Sequence, residues 1–257
     1  VGSLAQGEIV KFDPGSATPH VLVAPLGAGV GVTGLLVDEA TSSLLACTFD
    51  VTGKTTAPLR RFSLASGAQL AAYPFPGAAI CNDLAFDGDG DLFVTDSLGK
   101  IYELARGASA LTAWSSAPEL APSKAGGFGA DGIVVIGKDV FVNTFSDSRF
   151  ARIPIQADGT AGALVPITVT PKLESPDGMR VIGSKLVVAE GVGRLTELTV
   201  SGDAAKGEVI ANGLDAPTSF VSAGGTFWIT EGQLPHFLGQ VSTPPNLPFE
   251  VRRLPPL

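Results

Sequence analysis

Apolar positions along this chain fall in short runs of roughly four to eight residues, the length of strands rather than helices, and turns rich in Gly, Asp, Asn and Pro separate them. The clearest phrase is Asn82-Asp83-Leu84-Ala85-Phe86-Asp87 followed by Leu92-Phe93-Val94-Thr95-Asp96. Other copies begin at Thr33-Gly34, Asp131-Gly132, Asp177-Gly178 and Thr218-Ser219. Each runs through an apolar strand and a polar turn into a second strand: Leu44–Cys47, Val140–Asn143, Leu186–Glu190 and Phe227–Glu231 in the other four. Aligned on residues 33, 82, 131, 177 and 218, the steps are 49, 49, 46 and 41. An all-strand repeat of about 40–50 residues predicts a β-propeller with one blade per repeat.

A more polar pair of strands follows each of these pairs. Third strands are expected at Leu59–Phe62, Lys100–Leu104, Arg149–Ile153, Arg194–Leu198 and Leu238–Val241. A sixth outer pair lies near the N-terminus, Glu8–Phe12 and His20–Val23, with Val1–Leu4 as the tail of a strand before it. The expected fold is an all-β, six-bladed propeller of four-stranded blades, one domain over residues 1–257, whose first blade lacks its innermost strand. A five-bladed propeller with a flanking hairpin is the alternative. A gap in an inner layer would leave backbone groups unpaired, which is costly when buried. Trimming of a longer chain is therefore expected.

Thirty-two Gly, nineteen Pro and 16% charged residues suit short strands joined by tight turns. No apolar stretch approaches the ~18–20 residues of a membrane span. A net charge of −8 argues against a nucleic-acid partner. Gly29–Gly34 matches the dinucleotide fingerprint by letter but precedes a strand, so it reads as a loop. Asp87–Asp91 imitates the start of an EF-hand, yet Leu92 stands where that loop needs Gly. There is no G-x-S-x-G motif, and only His20 and His236 could act as imidazole bases.

In a propeller the first strand of each blade lines the axis, so Thr33, Asn82, Asp131, Asp177 and Thr218 are expected at one mouth of the central channel. Asp50, Asp96, Asn143, Glu190 and Glu231, at the ends of second strands, form an expected second tier. Hard oxygen donors converging there suit Ca²⁺ or another divalent cation. Asn82, Glu190, Glu231 and His236 are candidates to contact a small-molecule substrate. Two long loops, Phe49–Pro58 and Ser115–Ala130, could rim the mouth with Phe128, Phe145 and Phe237. Cys47 and Cys81 fall near that end of adjacent blades, as a disulfide or as two buried thiols. A disulfide would indicate export to an oxidising compartment.

Cys81-Asn82-Asp83-Leu84-Ala85-Phe86-Asp87, Asp131-Gly132-Ile133, Ser175-Pro176-Asp177-Gly178-Met179 and Val94-Thr95-Asp96-Ser97 resemble the gluconolactonase/regucalcin (senescence marker protein) family of six-bladed propellers. The resemblance implies a divalent metal, often Ca²⁺, held by a Glu, an Asn and an Asp, and hydrolysis of lactones or small esters by Lewis-acid activation. It implies a substrate-contacting role for Asn82 and metal ligation by Asp177, which is also the candidate general base. Asp131 falls where the family carries its metal-binding Asn, giving the set Asn82, Asp131 and Asp177. The family's Glu lies on the innermost strand of the first blade, the segment missing here. A non-catalytic, metal-free small-molecule-binding propeller, as in strictosidine-synthase-like relatives, is the alternative that this departure favours.

Overall fold

Each of the five repeats closes into an antiparallel sheet in the computed structural model, which describes residues 1–13 and 16–255. The chain divides into two compact units, Val1–Leu120 and Ala121–Leu257. In the first unit a hairpin of β1 (Ile9–Phe12) and β2 (Pro19–Val23) precedes two four-stranded blades. These are β3 (Val30–Asp38), β4 (Ser43–Asp50), β5 (Leu59–Ser63), β6 (Gln69–Tyr73), and then β7 (Cys81–Phe86), β8 (Leu92–Asp96), β9 (Lys100–Leu104), β10 (Thr112–Ser115).

The second unit holds three blades. The first is β11 (Ala130–Ile136), β12 (Asp139–Thr144), β13 (Arg149–Pro154) and β14 (Val165–Pro166). In the next, β16 (Pro176–Ile182), β17 (Lys185–Glu190), β18 (Arg194–Ser201) and β19 (Ala204–Asn212) are joined by β15 (Thr168–Thr170), which runs parallel to β19 at the outer edge. The last comprises β20 (Pro217–Ala223), β21 (Thr226–Glu231) and β22 (Glu250–Leu254), with a short helix α1 (Leu234–Phe237) between β21 and β22.

Within each unit, inward-facing residues of consecutive sheets meet face to face, which is why second strands read as nearly unbroken apolar runs. Leu45, Leu59 and Tyr73 pack on Leu84, Val94 and Tyr102. Phe141 and Phe150 pack on Met179, Leu186 and Val188, while Val187 and Leu195 pack on Phe220 and Ile229. Each such buried side chain contributes roughly 1.5–3 kcal/mol.

Two expectations are corrected. The blade count is five, not six. Among the described residues β1 and β2 make a two-stranded sheet, extended by a single bridge from Gly2 to Ile9. Without an innermost strand to pair with, the hairpin buries Ile9 and Val23 against Val32, Leu44 and Phe62 of the following blade. A side chain at Gly2 would meet Val32 Cγ1 at 2.4 Å, so only glycine fits this approach. The third strand of the last blade is β22, not Leu238–Val241. A left-handed residue, Gln233 (φ 48), and Pro235 at its start turn the chain after β21 into α1, and a loop carrying three more prolines precedes β22. Among the described residues no helix is long and apolar enough to cross a membrane.

Candidate functional site

The five first strands share one irregularity, and it falls on the signature residues. Pairing with the second strand slips between Val32 and Leu35, Cys81 and Leu84, Ala130 and Ile133, Pro176 and Met179, and Pro217 and Ser219. Such bulges re-aim side chains and leave a backbone group out of the ladder. The second strand supplies the replacement partner. Thr95 Oγ1 accepts from Asp83 N at 2.9 Å, Asn143 Oδ1 from Gly132 N at 3.3 Å, and Thr230 Oγ1 from Ser219 N at 3.1 Å.

In the first unit, β3 and β7 are neighbours and Thr33 Oγ1 donates to Cys81 O at 2.8 Å. Asn82 Nδ2 donates to Ser97 Oγ at 2.9 Å. Cys47 and Cys81 form a disulfide between β4 and β7, with Cα atoms 5.1 Å apart and a sequence separation of 34. Closing a loop of that length contributes roughly 3–4 kcal/mol in the chain-entropy model.

In the second unit, β11, β16 and β20 lie side by side in that order. Asn143 Nδ2 donates to Asp177 O at 2.8 Å, tying the bulge of β11 to that of β16. A Cβ on Gly132 would sit 2.3 Å from Asp177 O, and one on Gly178 2.7 Å from Thr218 O. The Asp-Gly pairs are thus a packing requirement between blades. They place Asp131, which is buried, and Asp177, which is half-buried, at matching positions on adjacent strands, with Thr218 at the same position on the next. Ser175 (φ 50) and Ala216 (φ 45) are left-handed non-glycine residues directly before Pro176 and Pro217. Strain of about 1–3 kcal/mol at each marks how firmly these approaches are held.

Three residues of the second tier fasten the lead-in to the first strand of their own blade. Asp96, Glu190 and Glu231 each accept the backbone N–H of a residue sixteen positions earlier, just ahead of the first strand of the same blade. The pairs are Ile80 N to Asp96 Oδ1 at 2.8 Å, Glu174 N to Glu190 Oε2 at 2.6 Å, and Asp215 N to Glu231 Oε1 at 2.9 Å. Glu190 is fully buried and also takes Arg194 Nε at 2.8 Å, Arg194 Nη2 at 2.9 Å and the Thr196 hydroxyl. These donors occupy both carboxylate oxygens and fasten the lead-in to β16 and Arg194 to the blade. Asn143 likewise spends its amide on Gly132 and Asp177. Asp50 accepts five hydrogen bonds from Thr52, Lys54 and Thr55 and orders the 51–55 loop. Those bonds hold its pKa far below the ordinary carboxylate range.

Asp96 differs from the other two. It is fully buried, its Oδ1 takes Ile80 N and Leu98 N, and its Oδ2 has no hydrogen-bond partner. Burial raises its pKa. A carboxylic acid whose folded pKa lies above its unfolded value stabilises the fold below the unfolded value, and that contribution is lost as pH rises through the folded one. Asp96→Asn keeps the acceptor oxygen and removes the buried charge. It is expected to stabilise the protein by roughly 1 kcal/mol at pH 8 and to bring no gain at pH 3.5, where both groups are neutral. Urea unfolding of both proteins at the two pH values checks this, and equal effects at both would refute it.

His236 lies on α1, where Nδ1 donates to Thr243 O at 2.8 Å and pins the following loop. Phe128 and Phe145 do meet, edge to face with centroids 6.4 Å apart. Asp147 fastens the 121–130 segment by accepting Ser123 N at 2.8 Å. The imitation EF-hand is a tight turn in which Asp87 Oδ1 accepts Asp89 N and Asp91 N at 2.9 and 3.0 Å. Sequence reasoning missed Arg180, the only Lys or Arg on the five first strands. Its Nη1 donates to Met179 O at 2.7 Å and its Nη2 to Ser219 Oγ at 3.3 Å, between β16 and β20. A lone basic residue on a first strand was the available signal.

Among the described residues no group of three or more His, Cys, Asp or Glu gathers in a way that could hold a metal ion. Asp131 and Asp177 provide two hard oxygen donors, short of a protein cage for Ca²⁺.

No protein-family model matches the sequence, and no curated protein matches it. Solved structures do match in fold. A gluconolactonase from Xanthomonas campestris superposes with a TM-score of 0.67 at 18% identity, over 90% of this chain and 77% of that one. The allergen Mala s 1 of Malassezia sympodialis gives 0.67 at 12% identity, over 91% and 83%. A chain of the nidogen/laminin complex gives 0.65 at 16% identity, over 89% and 83%. At these identities the likeness establishes the all-β propeller fold, which carries many functions.

Proposed function

We propose that this chain hydrolyses lactones or related small esters, with Asp177 as general base and Asp131 beside it. The observation that carries the reading is the placement of two carboxylates at equivalent bulges of adjacent first strands, on a backbone fixed by Asn143, Gly132 and a strained lead-in turn. The gluconolactonase likeness in fold supports it. In the reaction Asp177 takes a proton from water as its oxygen attacks the carbonyl carbon. The tetrahedral oxyanion then collapses, the bond to the ring oxygen breaks, and the proton passes to the departing alkoxide, giving a hydroxy acid. Arg180 is the cation we assign to the oxyanion. Since the carboxylates fall short of a cage for Ca²⁺, no step is routed through a cation. The Cys47–Cys81 bridge supports maturation in an oxidising compartment; alkylation of both cysteines in protein purified without reductant would overturn that.

Among the described residues Asp131 and Asp177 belong to no group of three acidic, His or Cys side chains that could hold a metal, which favours one second reading, a propeller that binds a small molecule without turning it over. Acid release from a panel of five- and six-membered lactones and small esters separates the two. Hydrolysis insensitive to chelator supports the two-carboxylate reading. Hydrolysis abolished by chelator and restored by Ca²⁺ makes the cation obligatory and refutes the metal-free step. Ligand binding without product leaves the second reading.

A further inference from the structure

Register makes the three blades of the second unit comparable position by position. Ala130 pairs with Thr144, Pro176 with Glu190 and Pro217 with Glu231. Two residues ahead of the first member of each pair stand Phe128, Glu174 and Asp215, and directly after the second member stand Phe145, Gly191 and Gly232. Two blades thus carry an acid and a glycine at this edge, while the blade of β11 carries a pair of phenylalanines. Glu190 and Glu231 accept the N–H of Glu174 and Asp215, whereas Phe128 N donates to Ser146 Oγ at 2.8 Å.

The aromatic pair is held in place. Phe145 N donates to Gly129 O at 3.1 Å and Ser146 N to Phe128 O at 3.0 Å, prolonging the β11–β12 ladder beyond its strands. Ser123 N donates to Asp147 Oδ2 at 2.8 Å and Arg149 Nη1 to Ala121 O at 3.1 Å, which fastens the flanking segments. The rings meet edge to face, and both stay half-buried, so each keeps apolar surface open to solvent. Both carboxylates of the proposed reaction are tied to this edge. Asp131 follows Phe128 by three residues, at most about 10 Å of extended strand. On the other side, the turn after Phe145 reaches the lead-in of β16, where Ser175 N donates to Ser148 Oγ at 3.2 Å, two residues ahead of Asp177.

We propose that Phe128 and Phe145 set the substrate class: a lactone or ester with an aryl group on the carbon that bears the leaving oxygen. The aryl ring packs against the pair in the edge-to-face manner that aromatic rings favour. The carbonyl then lies toward Asp131 and Asp177, where water adds and the bond to the leaving oxygen breaks, giving a hydroxy acid from a lactone. A phenylalanine edge offers no hydrogen-bond partner, so a hydroxylated substituent brought to it loses water without compensation. This inference rests on the hydrolytic reading of Asp177, and it gives the two phenylalanines a role in specificity, with no part in the chemistry.

The test compares γ-phenyl-, γ-methyl- and γ-hydroxymethyl-γ-butyrolactone, with γ-phenyl-γ-butyrolactam as a probe that binds without being opened. The phenyl lactone is expected to show kcat/KM about tenfold above the methyl one, with the hydroxymethyl one lowest. Phe145→Ala should raise KM for the phenyl lactone about three- to tenfold, the size of one aromatic contact. Its kcat and the kinetics of the methyl lactone should stay unchanged, because the lost contact is the same in ground and transition states. Phe128→Leu and Phe145→Leu keep apolar bulk at the edge and should retain the fold while losing part of the preference. Calorimetry with the lactam should show the same loss of affinity in Phe145→Ala. Hydrolysis without a phenyl preference, or a preference untouched by the variants, overturns this inference and leaves the hydrolytic reading standing. Lactam binding that Phe145→Ala weakens, in a protein that opens no lactone, keeps the aromatic edge and removes the hydrolysis. A protein that neither opens a lactone nor binds the lactam refutes both.

Discussion

Glu190→Ala is expected to lower the unfolding free energy by about 3–5 kcal/mol, the range for breaking a buried ion pair on one side. The carboxylate is fully buried, and its loss strands Arg194, the Thr196 hydroxyl and Glu174 N together. Arg194 keeps a fallback in Glu174 Oε1 at 3.2 Å, so the lower part of the range is expected. Glu190→Gln retains an acceptor and much of the shape and should cost about 1–2 kcal/mol. Urea denaturation decides it. A loss below 1 kcal/mol for the alanine variant would mean that the turn ahead of β16 is held by something other than this carboxylate. The matching change at Glu231 should cost less, because only one of its oxygens is engaged.

The same carboxylates show where sequence reading stopped. Repeat spacing located the first two strands of each of the five blades. Asp131 and Asp177 were legible because the Asp-Gly step recurs, and its glycine is now explained by the Asp177 and Thr218 carbonyls it faces. The role of Asp96, Glu190 and Glu231 was not legible from residue type, since an acid at a strand end serves a ligand or a backbone N–H equally well. A constant offset of sixteen residues to the N–H it accepts was the available signal. The strand after α1 was missed because Leu238–Val241 has the composition of the other third strands, whereas Glu250–Leu254 lies beyond a proline-rich loop. The blade count was overdrawn because an outer hairpin has the same pattern whether or not an inner strand completes it.

Asp177→Asn is expected to reduce kcat for lactone or ester hydrolysis by about 10²–10⁴, the usual contribution of a positioned general base, while changing stability by less than about 1 kcal/mol. The second half of that statement follows from the geometry. What β16 needs from residue 177 is its backbone carbonyl, which accepts Asn143 Nδ2 and abuts Gly132, and the amide side chain preserves both. The substitution removes the negative charge and the capacity to take a proton, and keeps an acceptor oxygen. Asp131→Asn should be far milder, within about tenfold, because it leaves the base in place and removes one neighbouring charge; the family resembled by this sequence carries Asn at the corresponding point. Asn143→Ala supplies the contrast of a positioning residue: it orphans Gly132 N and releases Asp177 O, so activity and stability should fall together by about 1–3 kcal/mol. In the pH–rate profile the wild type should lose its rate as the base protonates in acid, and that limb should vanish in Asp177→Asn while persisting in Asn143→Ala. A variant at 177 that keeps more than a tenth of the wild-type kcat, with the acid limb intact, would remove Asp177 from the chemistry and leave the first strands as a scaffold for binding alone.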